Sequence, residues 1–157
     1  MRTSRSRRAL AVAMTAAAST VSCSADDPKI DITGVKACDV LDASQMATFG
    51  VDHISQDSTS AKSNTSSSGY SRCVWQSMSK YPNYYSIAVS LDSRRDNDWV
   101  GDKGKTTPIS GSRASLLGHI MSVAAGPDRG VISIELLGAR RPIREVTETV
   151  VNNLRAR

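Results

Sequence analysis

Four strand-like stretches, with apolar and polar residues alternating at period two in all but the third, restrict the fold of this 157-residue chain more than any other feature. They run from Tyr70 to Met78, Tyr84 to Leu91, Arg113 to Ala125 and Val131 to Leu137. Successive side chains of an extended chain point to opposite sides, so each stretch can bury one face and wet the other. Cys73 and Trp75 share one face of the first, and Ile87, Val89 and Leu91 one face of the second. Ile132, Ile134 and Leu136 share one face of the fourth, with Ser133 and Glu135 opposite. Lys80-Tyr81-Pro82-Asn83 interrupts the first pair and Gly126-Pro127-Asp128-Arg129-Gly130 the second, which predicts two β-hairpins with His119 inside a strand.

Helical patterns flank these strands. Asp42 suits an N-cap, Gln45 completes a capping box, and Gly50 supplies a left-handed stop, with Leu41 and Met46 at the staple positions. From Pro142 to Arg155, Ile143, Val146, Val150 and Leu154 follow three-four spacing on one face. Helix, hairpin, hairpin, helix is an α+β order. It predicts an antiparallel sheet of two hairpins with an N-terminal and a C-terminal helix packed on one face. The expected domain is residues 35–157, behind a tether over 23–34. A loop over 55–68, with seven Ser and two Thr, carries too little apolar mass to join a core. Ser93 to Lys105, dense in charge, reads as a surface connection.

The N-terminus points to export. Arg2, Arg5, Arg7 and Arg8 precede an uncharged stretch from Ala9 to Ala25 rich in Ala, Val, Leu and Met, the order of a secretory signal over 1–22. The net charge of +5 rests on those arginines. Without them 16 basic residues face 15 acidic ones, which removes the electrostatic reason to bind nucleic acid. Thr20-Val21-Ser22-Cys23 resembles the lipobox of bacterial lipoproteins, although that pattern prefers Leu where Thr20 stands. The resemblance implies that Cys23 receives a diacylglyceryl thioether and holds the protein at the extracytoplasmic face of the cell membrane; the alternative is an ordinary signal peptide cleaved near Ala25. Ser6-Arg7-Arg8-Ala9-Leu10 also looks like a twin-arginine motif, so the export route stays open.

The chain has three cysteines. With Cys23 lipidated, Cys38 and Cys73 form the remaining pair, and exported chains live where disulfides persist. The rival is a metal site, but His53 and His119 lie too far from the cysteines in sequence for a recognised zinc spacing. No metal or other cofactor is expected.

Cys38-x-x-Leu41 with a short helix ending at Gly50, then Cys73-Val74-Trp75, two hairpins and a final amphipathic helix, all behind a lipobox, resemble an actinobacterial family of small lipoproteins of unknown function. The resemblance implies surface anchoring and an α+β domain with no assigned activity. At fold level the pattern is also similar to extracellular sensor domains of some actinobacterial Ser/Thr kinases, which does not transfer function.

Catalytic motifs such as G-x-S-x-G, H-E-x-x-H and S-x-x-K with its partner motifs do not occur. Gly101 to Thr106 mimics the end of a P-loop but is too short and follows no clear strand. Six of the seven aromatic residues lie between Tyr70 and Trp99. Trp75 reads as core, whereas Tyr81, Tyr84, Tyr85 and Trp99 make a candidate binding face for an envelope protein, lipid or glycan. The expected function is a non-enzymatic lipoprotein presenting an interaction domain. The alternative is an envelope hydrolase, which a pocket joining His119 to Glu135 or Asp128 would favour.

Overall fold

The computed structural model describes residues 29–55, 58, 69–77, 84–98, 100, 105–138 and 141–157. Helix α1, Ala43–Phe49, forms where the sequence predicts it. Asp42 Oδ1 accepts from the Gln45 N–H at 2.8 Å, and the Gln45 side chain accepts from the Asp42 N–H in return. Gly50 ends the helix at φ 77°. Cys38 lies upstream of this helix, in a single 3₁₀ turn, Ala37–Asp39. The C-terminal helix α2, Ile143–Arg155, buries Val146, Val150, Val151 and Leu154.

Between them lies the expected antiparallel sheet, with more strands than two hairpins supply, seven among the described residues: β1 His53–Ile54, β2 Tyr70–Gln76, β3 Ser86–Asp96, β4 Lys105–Thr106, β5 Ala114–Leu117, β6 Ile120–Ala124 and β7 Arg129–Leu137. The spatial order is β1-β2-β3-β7-β6-β5-β4, so two meanders meet where β3 pairs with β7. The expected long strand from Arg113 to Ala125 is two strands joined at Gly118-His119, with Leu117 opposite Ile120. Gly118 has φ 61°, which fits a two-residue hairpin loop led by glycine. His119 therefore sits in a turn. Strand β3 runs on to Asp96 into the stretch expected as a loop, with a register shift between Asp92 and Asp96.

One face of the sheet carries the core. Register aligns Cys73, Val89, Ile134, Met121 and Leu116 across five strands, and Trp75, Ile87 and Leu136 beside them. These residues, α2 and the Phe49 end of α1 form one apolar cluster. Asn153 of α2 donates to the Val40 carbonyl at 2.7 Å and to Gln45 Oε1 at 2.8 Å, tying the two helices together over the sheet. Cys38 and Cys73 are joined in a disulfide with Cα atoms 5.0 Å apart, so the 3₁₀ turn is fastened to β2. The folded region begins upstream of the expected start at residue 35. Ile30 and Ile32 are buried in the same core, and the Ile30 N–H donates to the Ala125 carbonyl at 2.6 Å.

Candidate functional site

The second face of the sheet carries no helix among the described residues. Its centre is a row in which each residue pairs with the next across adjacent strands: Arg72, Ser90, Ser133, Ser122 and Ser115. Small side chains on a pleated surface leave a trough. Except at Ala88, the neighbouring rows are taller. Tyr70, Asp92 and Val131 stand on one side, and Ala88, Glu135 and Ile120 on the other. The result is an open groove of about 370 Å³ running across the strands, with Leu117 and Arg95 also in its lining.

Beside the groove, Val100 packs on Ala124 and on Val131, one of the lining residues. Asn97 fixes that connection: its side chain is fully buried, donates to the Gly126 carbonyl at 2.5 Å, and accepts from Arg113 at 3.3 Å. A buried amide with both ends satisfied holds a loop in one place.

Glu135 is the polar centre of the opposite wall. One carboxylate oxygen lies 3.1 Å from His119 Nε2 and the other 3.7 Å from Arg72 Nη2. His119 is 57% exposed, so this pairing positions side chains more than it stabilises the fold. An imidazole held by a carboxylate is half of a general-base arrangement. The second half is lacking among the described residues: the His119 ring has no hydrogen bond to any serine hydroxyl of the groove.

The predicted site residues separate. Cys23, Tyr81 and Trp99 lie outside the described residues, as do most of the 55–68 loop and the core of the P-loop mimic. Tyr84 is 38% exposed and its hydroxyl accepts from Gln76 Nε2 at 2.6 Å. Tyr85 is 1% exposed and belongs to the core, so it forms no part of a binding face. The reason is the strand period: two consecutive residues of an extended chain face opposite sides, and only one of the pair can look outward. Cys38 and Cys73 are brought together. His53 lies 2.7 Å from Asp52 of its own segment and away from the groove. No three His, Cys, Asp or Glu residues converge as metal ligands among the described residues.

Sequence reasoning missed the serines. Ser133 is recognisable as outward-facing, and Ser90 follows from the same alternation, but their alignment with Ser122 and Ser115 depends on strand order and register. No helix among the described residues is long and apolar enough to cross a membrane. Comparison with family models, curated proteins and solved structures finds no match to this chain.

Proposed function

We propose that this protein is a lipid-anchored envelope protein that binds a ligand, without catalysis, on the open face of its sheet. The groove along the serine row carries this reading. It is a concavity of about 370 Å³ on the face opposite the helices, and it mixes apolar walls with a few convergent polar groups, the ordinary make-up of a ligand site. The Cys38–Cys73 bridge supports residence in an oxidising compartment, and the Arg-rich leader with Val21-Ser22-Cys23 supports attachment through Cys23. Family membership in the small actinobacterial lipoproteins is part of the same proposal, resting on Cys38, Leu41 and Cys73-Val74-Trp75. The test is amide chemical-shift mapping of the full chain against fractionated envelope material. Shifts concentrated at Ser90, Ser122, Ser133 and Glu135 are expected, and no shifts there with any fraction would sink the reading.

The His119–Glu135 pair favours a second reading, an envelope hydrolase. That reading requires a nucleophile or water brought to His119 by the substrate. It predicts that Glu135→Gln abolishes turnover of an ester or glycoside by the full chain while leaving its fold intact.

A further inference from the structure

The serine row has unused hydrogen-bonding capacity. Each serine hydroxyl offers one donor and two acceptor positions. The hydroxyls of Ser90, Ser133, Ser122 and Ser115 make no hydrogen bond to any described residue, although Ser115 and Ser122 are only 2% and 5% exposed. Near-buried polar side chains that line a cavity without a partner are expected to meet water or a ligand. Sheet stability does not call for serine here either, since a pleated face is best filled by β-branched and aromatic residues.

We infer that the groove binds an extended, uncharged glycan laid across the strands. This rests on the open face being a binding face, as proposed above. Adjacent strands are about 4.8 Å apart, so four aligned serines repeat a hydroxyl at that interval over about 14 Å. That interval is close to the length of one sugar residue in an extended chain, so successive sugars meet successive serines. Sugar hydroxyls both donate and accept, as serine hydroxyls do. The apolar C–H faces of the rings meet the wall at Ile120 and the exposed Leu117, and Tyr70 offers a ring at one end of the groove. Charge agrees: the groove's own charged residues are Asp92, Glu135 and Arg95, with Glu135 also paired to Arg72 and His119 beside it, which makes no positive patch for a phosphate or a polyanion. An acyl chain fits less well, because it would cover hydroxyls that it cannot hydrogen-bond.

The experiment uses the full chain in a detergent without a sugar head group. Cellohexaose and chitohexaose are the probes, glucose is the single-unit control, and titration calorimetry is combined with amide shifts. At least one hexaose should bind saturably, perturb the amides of the serine row and outbind glucose. A Ser122→Ala/Ser133→Ala variant should bind roughly tenfold more weakly, the loss of two neutral hydrogen bonds, with an unchanged unfolding midpoint. Failure of both hexaoses, or equal binding by the variant, overturns the glycan assignment. A parallel arm separates this from failure of the binding face. Shifts at the serine row with phosphatidylglycerol vesicles or an envelope protein fraction, but not with glycans, would refute the glycan and keep the face. A serine row silent to every probe would refute both.

Discussion

Gly138 and Gly118 offer a comparison in which the backbone requirement is alike and the space is not. Both have positive φ, 76° and 61°. A Cβ on Gly118 would meet nothing within 4 Å, whereas a Cβ on Gly138 would stand 2.4 Å from the Tyr84 carbonyl oxygen. Left-handed φ costs an L-residue about 1–2 kcal/mol, offset by about 0.4–1 kcal/mol from the stiffer unfolded chain. Gly118→Ala should therefore lose only about 1 kcal/mol. Gly138→Ala adds an overlap of about 1 Å against ordinary contact near 3.5 Å. The oxygen cannot swing away cheaply: it belongs to the backbone just before Tyr85, which is buried, and Ser86, which is paired with Leu137. Overpacking of this kind costs about 1–3 kcal/mol, so the total is about 2–4 kcal/mol. Urea unfolding followed by circular dichroism measures both, with slopes compared to confirm two-state behaviour. Losses equal to within about 0.5 kcal/mol, inside ordinary additivity error, would refute the close approach as the cause.

Other outcomes follow from the same structure. Replacing Cys38 and Cys73 together by Ala should cost about 3–4 kcal/mol by loop-closure entropy, read as a lower urea midpoint; free thiols in the folded wild type, detected by mass spectrometry, would contradict the bridge. Trp75→Ala should lose about 3–5 kcal/mol, because the side chain is fully buried, while Tyr84→Phe should stay within about 0.5 kcal/mol, as at other surface sites. The Asp42 carboxyl is held below its ordinary 3.8, first by the Gln45 N–H and then by the Ser44 hydroxyl. A lowered folded-state value means stability that is present above the unfolded value and lost as pH falls through the folded one. Acid titration should therefore weaken the wild type below about pH 4, and Asp42→Asn should flatten that part of the curve. A Cys23→Ala chain expressed in an actinobacterial host should fail to incorporate labelled fatty acid; labelling equal to wild type would remove the lipid anchor from the proposal.

Local signals were legible where the cause is local. The Asp42–Gln45 capping box, the Gly50 stop and the buried stripe Val146, Val150, Leu154 are decided within a few residues, and they stand where the pattern puts them. The Leu117-Gly118-His119-Ile120 turn is hidden because apolar residues continue on both sides of it, so the stretch reads as one strand; the glycine is the available signal. The two-residue strands β1 and β4 carry no pattern of their own and exist because an established neighbour offers a free edge. The tyrosines misled for a different reason. Their place beside the Pro82 turn suggests exposure for all, while strand parity sends Tyr84 out and Tyr85 in. The groove was the least legible feature, since it is made by four serines from four strands whose order is not the order of the chain.

The hydrogen bond from Ile30 to Ala125 also sets the posture of the molecule on the proposed lipid anchor. It fixes the entering chain at the β6–β7 turn, the end of β6 opposite the Gly118-His119 turn. From Cys23 to Lys29 the chain reaches at most about 20 Å, at roughly 3.3–3.6 Å per residue. On the proposed anchor, so short a leash would favour the Ala125 end lying nearest the bilayer, with His119 pointing outward. The strands then stand roughly upright, and a trough that crosses them lies level. On that proposed anchor, a polymer seated in the trough would run along the plane of the membrane rather than rise from it.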